Sequence, residues 1–136
     1  MITGVNHITL SVKDVSQSFE FYSKILGFKP VAKWTDGAYL LAGDLWLCLF
    51  LDQNTRISKL PEYTHIAFTI SKQDFKIMSE GIKKSGAEIW QGNRTEGDSL
   101  YFLDPNGHKL EIHASDLSTR IKTFKENPWD GLELFI

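Results

Sequence analysis

The chain has 136 residues, of which 42% are hydrophobic and 24% are charged, and its net charge is -2 at pH 7. This composition is typical of a folded globular domain, and the mixed charges offer no basic surface for nucleic acid or an anionic membrane. No apolar run approaches the roughly 20 residues of a membrane span, so we expect a cytoplasmic location. The single cysteine, Cys48, excludes an internal disulfide. Because it lies in an apolar run, we expect it to be a small buried hydrophobe.

The first half of the chain predicts a strand, a helix and three further strands. Val5–Val12 alternates apolar and polar residues, which is typical of a strand with His7 and Thr9 on one face. Asp14 stands at a helix N-cap position, and apolar residues recur at helical spacing from 15 to 26. Further strands are predicted at Phe28–Lys33, Ala38–Ala42 and Leu45–Leu51.

The same pattern restarts after a polar linker at residues 52–62. Thr64–Ile70 matches Asn6–Val12 in polarity, position for position, and this places His65 where His7 stood. The remaining predicted elements are a helix at Gln73–Ser85, strands at Glu88–Trp90, Tyr101–Leu103 and Lys109–Ile112, and a helix at Leu117–Lys125 with Asp116 as its N-cap. We therefore predict one α+β domain of two βαβββ modules, at about 1–52 and 62–115, with a C-terminal helix and tail at 116–136. Two curved mixed sheets would enclose a shared cavity.

Three residues are candidates for a metal site. His7 and His65 hold equivalent positions in the two repeats, and Glu111 faces away from Leu110 and Ile112 in the last strand. A carboxylate in mid-strand faces either solvent or something positive. Two imidazoles and one carboxylate suit a divalent first-row metal and leave coordination positions open for substrate, as in a catalytic site. The alternative is that each histidine is a hydrogen-bonded core or rim residue.

The polar loop before Tyr101 has two interpretations, a solvated turn or a cation site. Oxygen-bearing side chains and backbone carbonyls suit a hard monovalent or divalent cation. The candidate ligands are Asn93, Thr95, Glu96, Gly97 and Ser99. Arg120, on the last predicted helix, carries a planar guanidinium that is suited to a phosphonate or a carboxylate.

These motifs resemble the vicinal oxygen chelate superfamily and, in detail, its fosfomycin-resistance glutathione transferases. The resembling segments are spread over nearly the whole chain, at Gly4–Leu10, Gly37–Leu40, Leu45–Leu49, Tyr63–His65, Asn93–Ser99 and Tyr101–Pro105. The resemblance implies a homodimer with modules paired across subunits, so that His7 of one chain joins His65 and Glu111 of the other around Mn(II) or another divalent metal. It also implies a K+ site in the loop from Asn93 to Ser99.

The resemblance further implies the substrates, fosfomycin and glutathione, and roles for individual residues. Thr9, Thr95, Tyr101 and Arg120 would hold the phosphonate, Trp46 would line the epoxide pocket, and Tyr39 would lie beside the thiol, so that Tyr39 and Thr9 take part in catalysis. The family often has a lysine contacting the phosphonate where this chain has Gln91. Loss of that cation costs on the order of 1.5 to 3 kcal/mol if the contact is fully engaged, so either affinity is lower or Gln91 donates a weaker hydrogen bond.

The reaction implied by the resemblance is the opening of an epoxide by the glutathione thiolate. Tyr39 would donate a hydrogen bond to that thiolate and lower the pKa of the thiol. Three alternatives stay open. A hydrolytic relative would need a carboxylate base, for which Asp44 is the nearest candidate. A transferase that uses bacillithiol or cysteine has a cysteine where this chain has Thr9, and a metal-free module that sequesters a drug shares the fold.

Overall fold

The structure, a computed structural model, describes all 136 residues. The first module contains β1 (His7–Val12), α1 (Val15–Glu20), β2 (Lys29–Trp34), β3 (Gly37–Ala42) and β4 (Leu45–Leu51). The second contains β5 (Ile66–Thr69), α2 (Lys72–Lys84), β6 (Ile89–Gln91), β7 (Ser99–Leu103) and β8 (Lys109–His113), and α3 (Leu117–Glu126) follows it. Every element predicted from the sequence is present, and apart from the first helix the bounds differ by at most two residues.

Each module forms one four-stranded mixed sheet, and the strand orders are β1-β4-β3-β2 and β5-β8-β7-β6. The first strand of each module runs parallel to its last strand, whereas the other neighbours are antiparallel. Parallel pairing requires a crossover connection, which α1 supplies in the first module and α2 in the second. The predicted α+β arrangement of two βαβββ modules is confirmed.

The first helix differs from the prediction in its second half. Asp14 caps it as expected, since its side chain accepts a hydrogen bond of 2.9 Å from a first-turn N–H. The chain then continues as a π-helical turn, Phe21–Ile25, in which the N–H of Leu26 donates to the carbonyl of Phe21. The prediction of one regular helix is therefore wrong here. The wider turn allows the consecutive aromatic residues Phe21 and Tyr22 both to be buried.

Alternation along the strands separates an apolar face from a polar face in each sheet. Leu40, Leu47 and Leu110 on the apolar faces are completely buried. Burying each of these side chains stabilises the fold by about 1.5 to 3 kcal/mol relative to leaving it exposed. His7 and Thr9, on the opposite face of the first sheet, are exposed. The residues that could meet substrate therefore lie on a different face from the core.

A buried polar contact joins the two modules. The hydroxyl of Tyr22 on the π turn donates a hydrogen bond of 2.6 Å to Asp104 in the β7–β8 connection. Burial and, after it, the charge of Asp104 raise the pKa of Tyr22 well above its ordinary value. Phe28 and Phe68 pack edge to face nearby, with ring centroids 5.1 Å apart. The hairpin that carries Glu111 is thereby held against the first module.

The β7–β8 turn depends on a glycine in the left-handed region of backbone conformation. Gly107 adopts a φ of 88°, which residues with a side chain rarely adopt. A Cβ atom at this position would lie 2.7 Å from the backbone of Ser58 in the linker. The linker therefore packs directly over the turn.

None of the helices has both the length and the apolar character that a membrane crossing requires.

Candidate active site

His65 and Glu111 form the centre of a polar cluster on the second sheet. His65 immediately precedes β5, and Glu111 lies in β8, paired in register with Ala67. The Nε2 atom of His65 is 3.0 Å from Oε1 of Glu111. Glu111 is only 6% exposed, so it is not a solvated strand residue. The sequence prediction that this carboxylate faces something positive agrees with its burial, since buried carboxylates are paired or bind metals.

Hydrogen bonds orient both candidate imidazoles through their Nδ1 atoms. Nδ1 of His65 is 2.9 Å from the carbonyl oxygen of Tyr63, and Nδ1 of His7 is 2.8 Å from Oδ1 of Asn6. A carbonyl oxygen accepts, so each ring donates from Nδ1 and keeps the Nε2 lone pair for another partner. Metal-binding histidines commonly have this outer contact, which fixes the tautomer and the ring orientation.

The contacts of Glu111 show whether Glu111 and His65 could bind the same metal ion. Its Oε2 atom accepts a hydrogen bond of 2.8 Å from Ser99. Its Oε1 atom faces a ring nitrogen of His65 at 3.0 Å. Two ligand atoms, each about 2.1 Å from an octahedral metal ion, lie about 3.0 Å from one another. The donor set and its spacing therefore fit two neighbouring ligands of one divalent ion.

The remaining metal candidate, His7, lies in an aromatic row on the first sheet. Its ring is 4.6 Å from that of Trp46, which in turn is 5.0 Å from that of Tyr39. Thr9 follows on the same face of β1 and is exposed. The Nε1 atom of Trp46 is buried and has no hydrogen-bond partner. The residues expected around the epoxide and the thiol thus share one face.

The aromatic row that contains His7 and the polar cluster of His65 and Glu111 lie on different sheets, since β1 pairs with β4 and β5 pairs with β8. Within the single chain no group of three or more His, Cys, Asp or Glu residues is placed to hold a metal ion. His65 and Glu111 are therefore together, whereas His7 is apart from them.

Arg120 contacts two residues of the 93–99 loop at the edge of the polar cluster around Glu111. Its Nη2 atom donates to Oγ1 of Thr95 at 3.2 Å, and its Nε atom pairs with Glu96. This bond from Arg120, with a smaller contribution from Ser115, holds the pKa of Glu96 below its usual value. Burial first, and then the charge of Glu111, raise the pKa of Tyr101. Thr95 and Arg120, both expected to bind the phosphonate, are in direct contact.

The loop expected to bind K+ has its own internal hydrogen bonds. The side-chain amide of Asn93 donates to the carbonyl of Gly97 at 2.8 Å, and Oδ1 of Asn93 accepts from the N–H of Thr95 at 3.2 Å. Gly97 adopts a φ of 79°, and a Cβ there would lie 2.8 Å from the Cβ of Ser115. The candidate oxygens are therefore gathered in one tight turn beside Ser99.

Gln91 is connected to His65 by way of Tyr63. Its Nε2 atom donates a hydrogen bond of 2.9 Å to the Tyr63 hydroxyl. The ring of Tyr63 in turn packs edge to face on His65, with centroids 5.0 Å apart. A longer, positively charged side chain at position 91 would therefore start close to the predicted substrate site.

Sequence reasoning gave no role to three residues that shape the site. Asn6, which immediately precedes His7, and Tyr63, two residues before His65, orient the two histidines. His113 lies two residues after Glu111 on the same face of β8, and its Nδ1 atom is 2.6 Å from Oγ of Ser99. Strand alternation places His113 on the same face of β8 as Glu111, but it does not predict the contact of His113 with Ser99.

Comparisons with known proteins agree with this geometry. The model of the Glyoxalase/Bleomycin resistance protein/Dioxygenase superfamily matches residues 4–112. The chain is 42% identical over 134 residues to the glutathione transferase FosA of Serratia marcescens, covering 97% of this chain and 95% of the relative. It is 40% identical over 130 residues to the metallothiol transferase FosB of Staphylococcus haemolyticus, covering 93% of this chain and 94% of the relative.

Solved structures of fosfomycin resistance proteins share the fold. FosX from Listeria monocytogenes superposes with a TM-score of 0.79 at 31% identity, covering 90% of this chain and 99% of FosX. An E126Q mutant of the same FosX, complexed with Mn(II) and 1S,2S-dihydroxypropylphosphonic acid, gives a TM-score of 0.78 at 30% identity, with 89% and 99% covered. Sequence and structure agree over nearly the full length, and the chain belongs to the Glyoxalase/Bleomycin resistance protein/Dioxygenase superfamily.

Proposed function

We propose that this chain is a metal-dependent transferase that opens the epoxide of fosfomycin by adding glutathione and so confers resistance to the antibiotic. The observation that carries the proposal is the pair of His65 and Glu111, whose Nε2 and Oε1 atoms converge at 3.0 Å in a buried setting. The 42% identity to a glutathione transferase FosA supports the reaction. The Mn(II) complex of FosX supports the kind of metal.

The metal would be held by His7 of one subunit and by His65 and Glu111 of the other in a cytoplasmic homodimer. The exposure of His7 and its separation from the other two residues support this arrangement. When bound, a divalent metal supplies a fixed positive charge that stabilises negative charge on the epoxide oxygen. Three protein ligands leave positions free for oxygens of the substrate.

The residues around Arg120 would bind the phosphonate. Arg120 and Thr95 present a guanidinium and a hydroxyl that are 3.2 Å apart. Tyr101 and Gln91 lie on the neighbouring strands β7 and β6, paired in register. Charge-assisted hydrogen bonds from arginine are the strong ones in phosphonate recognition. These contacts would fix the substrate so that one epoxide carbon faces the thiol.

The aromatic row of the first sheet would form the opposite wall. Tyr39 would donate a hydrogen bond to the glutathione thiol and favour the thiolate, which is the reactive form. Trp46 would line the epoxide pocket with its ring, which packs on the rings of His7 and Tyr39. Thr9 lies in register with Cys48, which pairs with Tyr39 on its other side. The thiolate would attack the less hindered carbon and the epoxide C–O bond would break.

K+ is proposed as a second cofactor, bound by the turn from Asn93 to Ser99. The support is the clustering of oxygens in this turn and its contact with Arg120 through Thr95 and Glu96. A cation here would hold the turn in place and, through it, the phosphonate-binding guanidinium. It would therefore act on substrate binding and not on the bond that breaks.

Two other reactions compete with this proposal. Thiol addition from bacillithiol or cysteine is favoured by the 40% identity to FosB, whereas Thr9 favours glutathione. Hydration is favoured by the similarity to FosX, whose E126Q mutant is complexed with a diol, 1S,2S-dihydroxypropylphosphonic acid. Its base would be Asp44, which is exposed in the turn between β3 and β4. A carboxylate in that position is poorly placed to be shielded beside a substrate.

The test is mass spectrometry of fosfomycin incubated with the protein and Mn(II), in parallel with glutathione, with cysteine and with water alone. We expect a glutathione adduct and no diol, and no reaction after the metal is removed with a chelator. Diol as the major product would assign the chain to the hydrolases. Binding of unchanged drug without metal would assign it to the sequestering proteins.

A further inference from the structure

A small cavity lies at the end of β1, on the face of the first sheet that carries Thr9. Its volume is about 360 Å³, and its walls include Thr9, Ser11, Phe50 and Arg56. Ser11 and Phe50 are paired in register, two residues beyond the pair of Thr9 with Cys48. The cavity therefore continues the face that bears the proposed thiol site.

A compact turn after β4 holds Arg56 at this cavity. The N–H of Asn54 donates to the carboxylate of Asp52 at 2.8 Å, and the hydroxyl of Thr55 donates to the Asp52 carbonyl at 2.6 Å. Thr55 is buried, with 5% of its surface exposed. The backbone leading to Arg56 is thus fixed by hydrogen bonds and burial, and it places Arg56 in the wall of the cavity.

Arg56 has no acceptor within the chain. It is half-buried, yet it takes part in none of the ion pairs of the structure. The hydroxyls of Thr9 and Ser11 likewise have no hydrogen-bond partner in the chain, and they face the same cavity. Asp52 is the only acidic residue in its lining, and one oxygen of its carboxylate accepts a hydrogen bond from the N–H of Asn54. A partly desolvated arginine beside two free hydroxyls is suited to bind an anion.

We infer that Arg56, with Ser11, forms a subsite for a carboxylate of the thiol co-substrate. This inference rests on the proposed function. Two residues along a strand span about 6.6 Å, so Ser11 and Phe50, at the far end of the cavity, lie that far from the level of Thr9 and Tyr39. An extended peptide covers roughly 3.3 to 3.6 Å per residue, so a tripeptide whose thiol lies near Tyr39 can place a carboxylate at Arg56. The phosphonate has its own cation in Arg120.

Glutathione carries two carboxylates, on its glycine and on its γ-glutamyl residue, and either has the chemistry that Arg56 would recognise. Truncated thiols separate the two sources. γ-Glutamylcysteine lacks the glycine, and cysteinylglycine lacks the γ-glutamyl group. The carboxylate that Arg56 binds is the one whose removal makes the thiol insensitive to substitution of Arg56.

The test compares Arg56→Ala and Arg56→Lys with Lys59→Ala, which removes a cation from the same linker outside this cavity. With the Mn(II)-loaded protein, we expect Arg56→Ala to raise KM for glutathione about ten-fold, the size of a lost charge-assisted hydrogen bond. KM for fosfomycin and kcat should stay near wild type. Arg56→Lys should recover part of the affinity, and Lys59→Ala should match wild type.

Calorimetry with S-methylglutathione, which cannot react, gives a readout that does not depend on turnover. Its Kd should weaken about ten-fold in Arg56→Ala. An unchanged KM for glutathione and an unchanged Kd, in a folded variant that still forms adduct, would overturn the subsite while leaving the proposed function intact. A rise in KM for fosfomycin alone would also overturn it. Absence of adduct in the wild-type protein would instead count against the proposed function, and the calorimetry would still decide the subsite.

Discussion

Cys48 in the first sheet and Glu111 in the second occupy the same position of the structural repeat. Cys48 pairs in register with Thr9, and Glu111 pairs with Ala67. Thr9 and Ala67 each lie two residues after the histidine of their own module. The first module therefore has a thiol where the second has its carboxylate, and the proposed metal site has three protein ligands.

A carboxylate placed at position 48 should compete with the substrate for the metal. We expect Cys48→Asp to raise Mn(II) affinity and to lower kcat/KM for fosfomycin about ten-fold or more, because an added ligand takes a coordination position that the phosphonate needs. Cys48 is only 8% exposed, so Cys48→Ser serves as the control for a polar group at this depth. Unchanged metal affinity in the aspartate variant would place position 48 outside the site.

Residues 93–99 should make the activity depend on K+. Replacing K+ by Na+ at constant ionic strength should lower kcat/KM for fosfomycin in the wild type. Gly97→Ala should abolish this difference, because an added Cβ would lie 2.8 Å from Ser115 and the residue has a φ of 79°. Gly92→Ala is the matched control, since a Cβ there has no atom within 4 Å. Equal rates of the wild type in the two salts would argue against a K+ site.

Position 91 should control the affinity for the phosphonate. Gln91→Lys adds a cation beside Tyr63, whose hydroxyl the glutamine now contacts at 2.9 Å. A newly engaged charge-assisted contact should lower KM for fosfomycin about ten-fold. Gln91→Met, which keeps the length and removes the donor, should not do so. Steady-state kinetics with fosfomycin as the varied substrate measure both, and an equal KM in all three proteins would show that the side chain does not reach the substrate.

The ion pair of Glu96 and Arg120 should make stability depend on pH. The folded-state pKa of Glu96 lies below 4.5, the ordinary value of a glutamate. The stabilisation is therefore present above pH 4.5 and is lost as the pH falls through the folded-state pKa. In metal-free protein, the loss in the free energy of unfolding caused by Glu96→Gln should be larger at pH 7 than at pH 3. Urea titrations at the two values measure it, with the exposed Glu80→Gln as control. The same loss at both values would mean that this pair does not act through the charge of Glu96.

Part of the candidate site was predictable because strand geometry is periodic. The repeat aligned His65 with His7, and alternation in β8 turned Glu111 away from Leu110, whose side chain is completely buried in the core. The contact of His65 with Glu111 follows once β5 and β8 are neighbours. The expectation that His7 comes from another chain does not follow from periodicity, and it rests on the family resemblance.

Other features depend on contacts that periodicity does not encode. The apolar spacing of Phe21–Ile25 is that of a regular helix, so it does not predict the π turn. In the structure, Tyr22 on this turn donates a hydrogen bond to Asp104. The contact of Glu96 with Arg120 joins a loop to a helix 24 residues away. Arg56 was part of a linker without pattern, and only the turn after β4 shows that it is held at a cavity.

Mn(II) titration of Glu111→Gln tests whether Glu111 binds the proposed catalytic metal. The substitution keeps the shape and the strand hydrogen bonds but replaces an anionic ligand by a weak neutral one. We expect cooperative unfolding like that of the wild type, Mn(II) affinity reduced at least ten- to a hundred-fold, and loss of adduct formation. A Glu111→Gln protein that binds Mn(II) with wild-type affinity and turns over normally would remove the carboxylate from the site and, with it, the reason for assigning His7 and His65 as ligands.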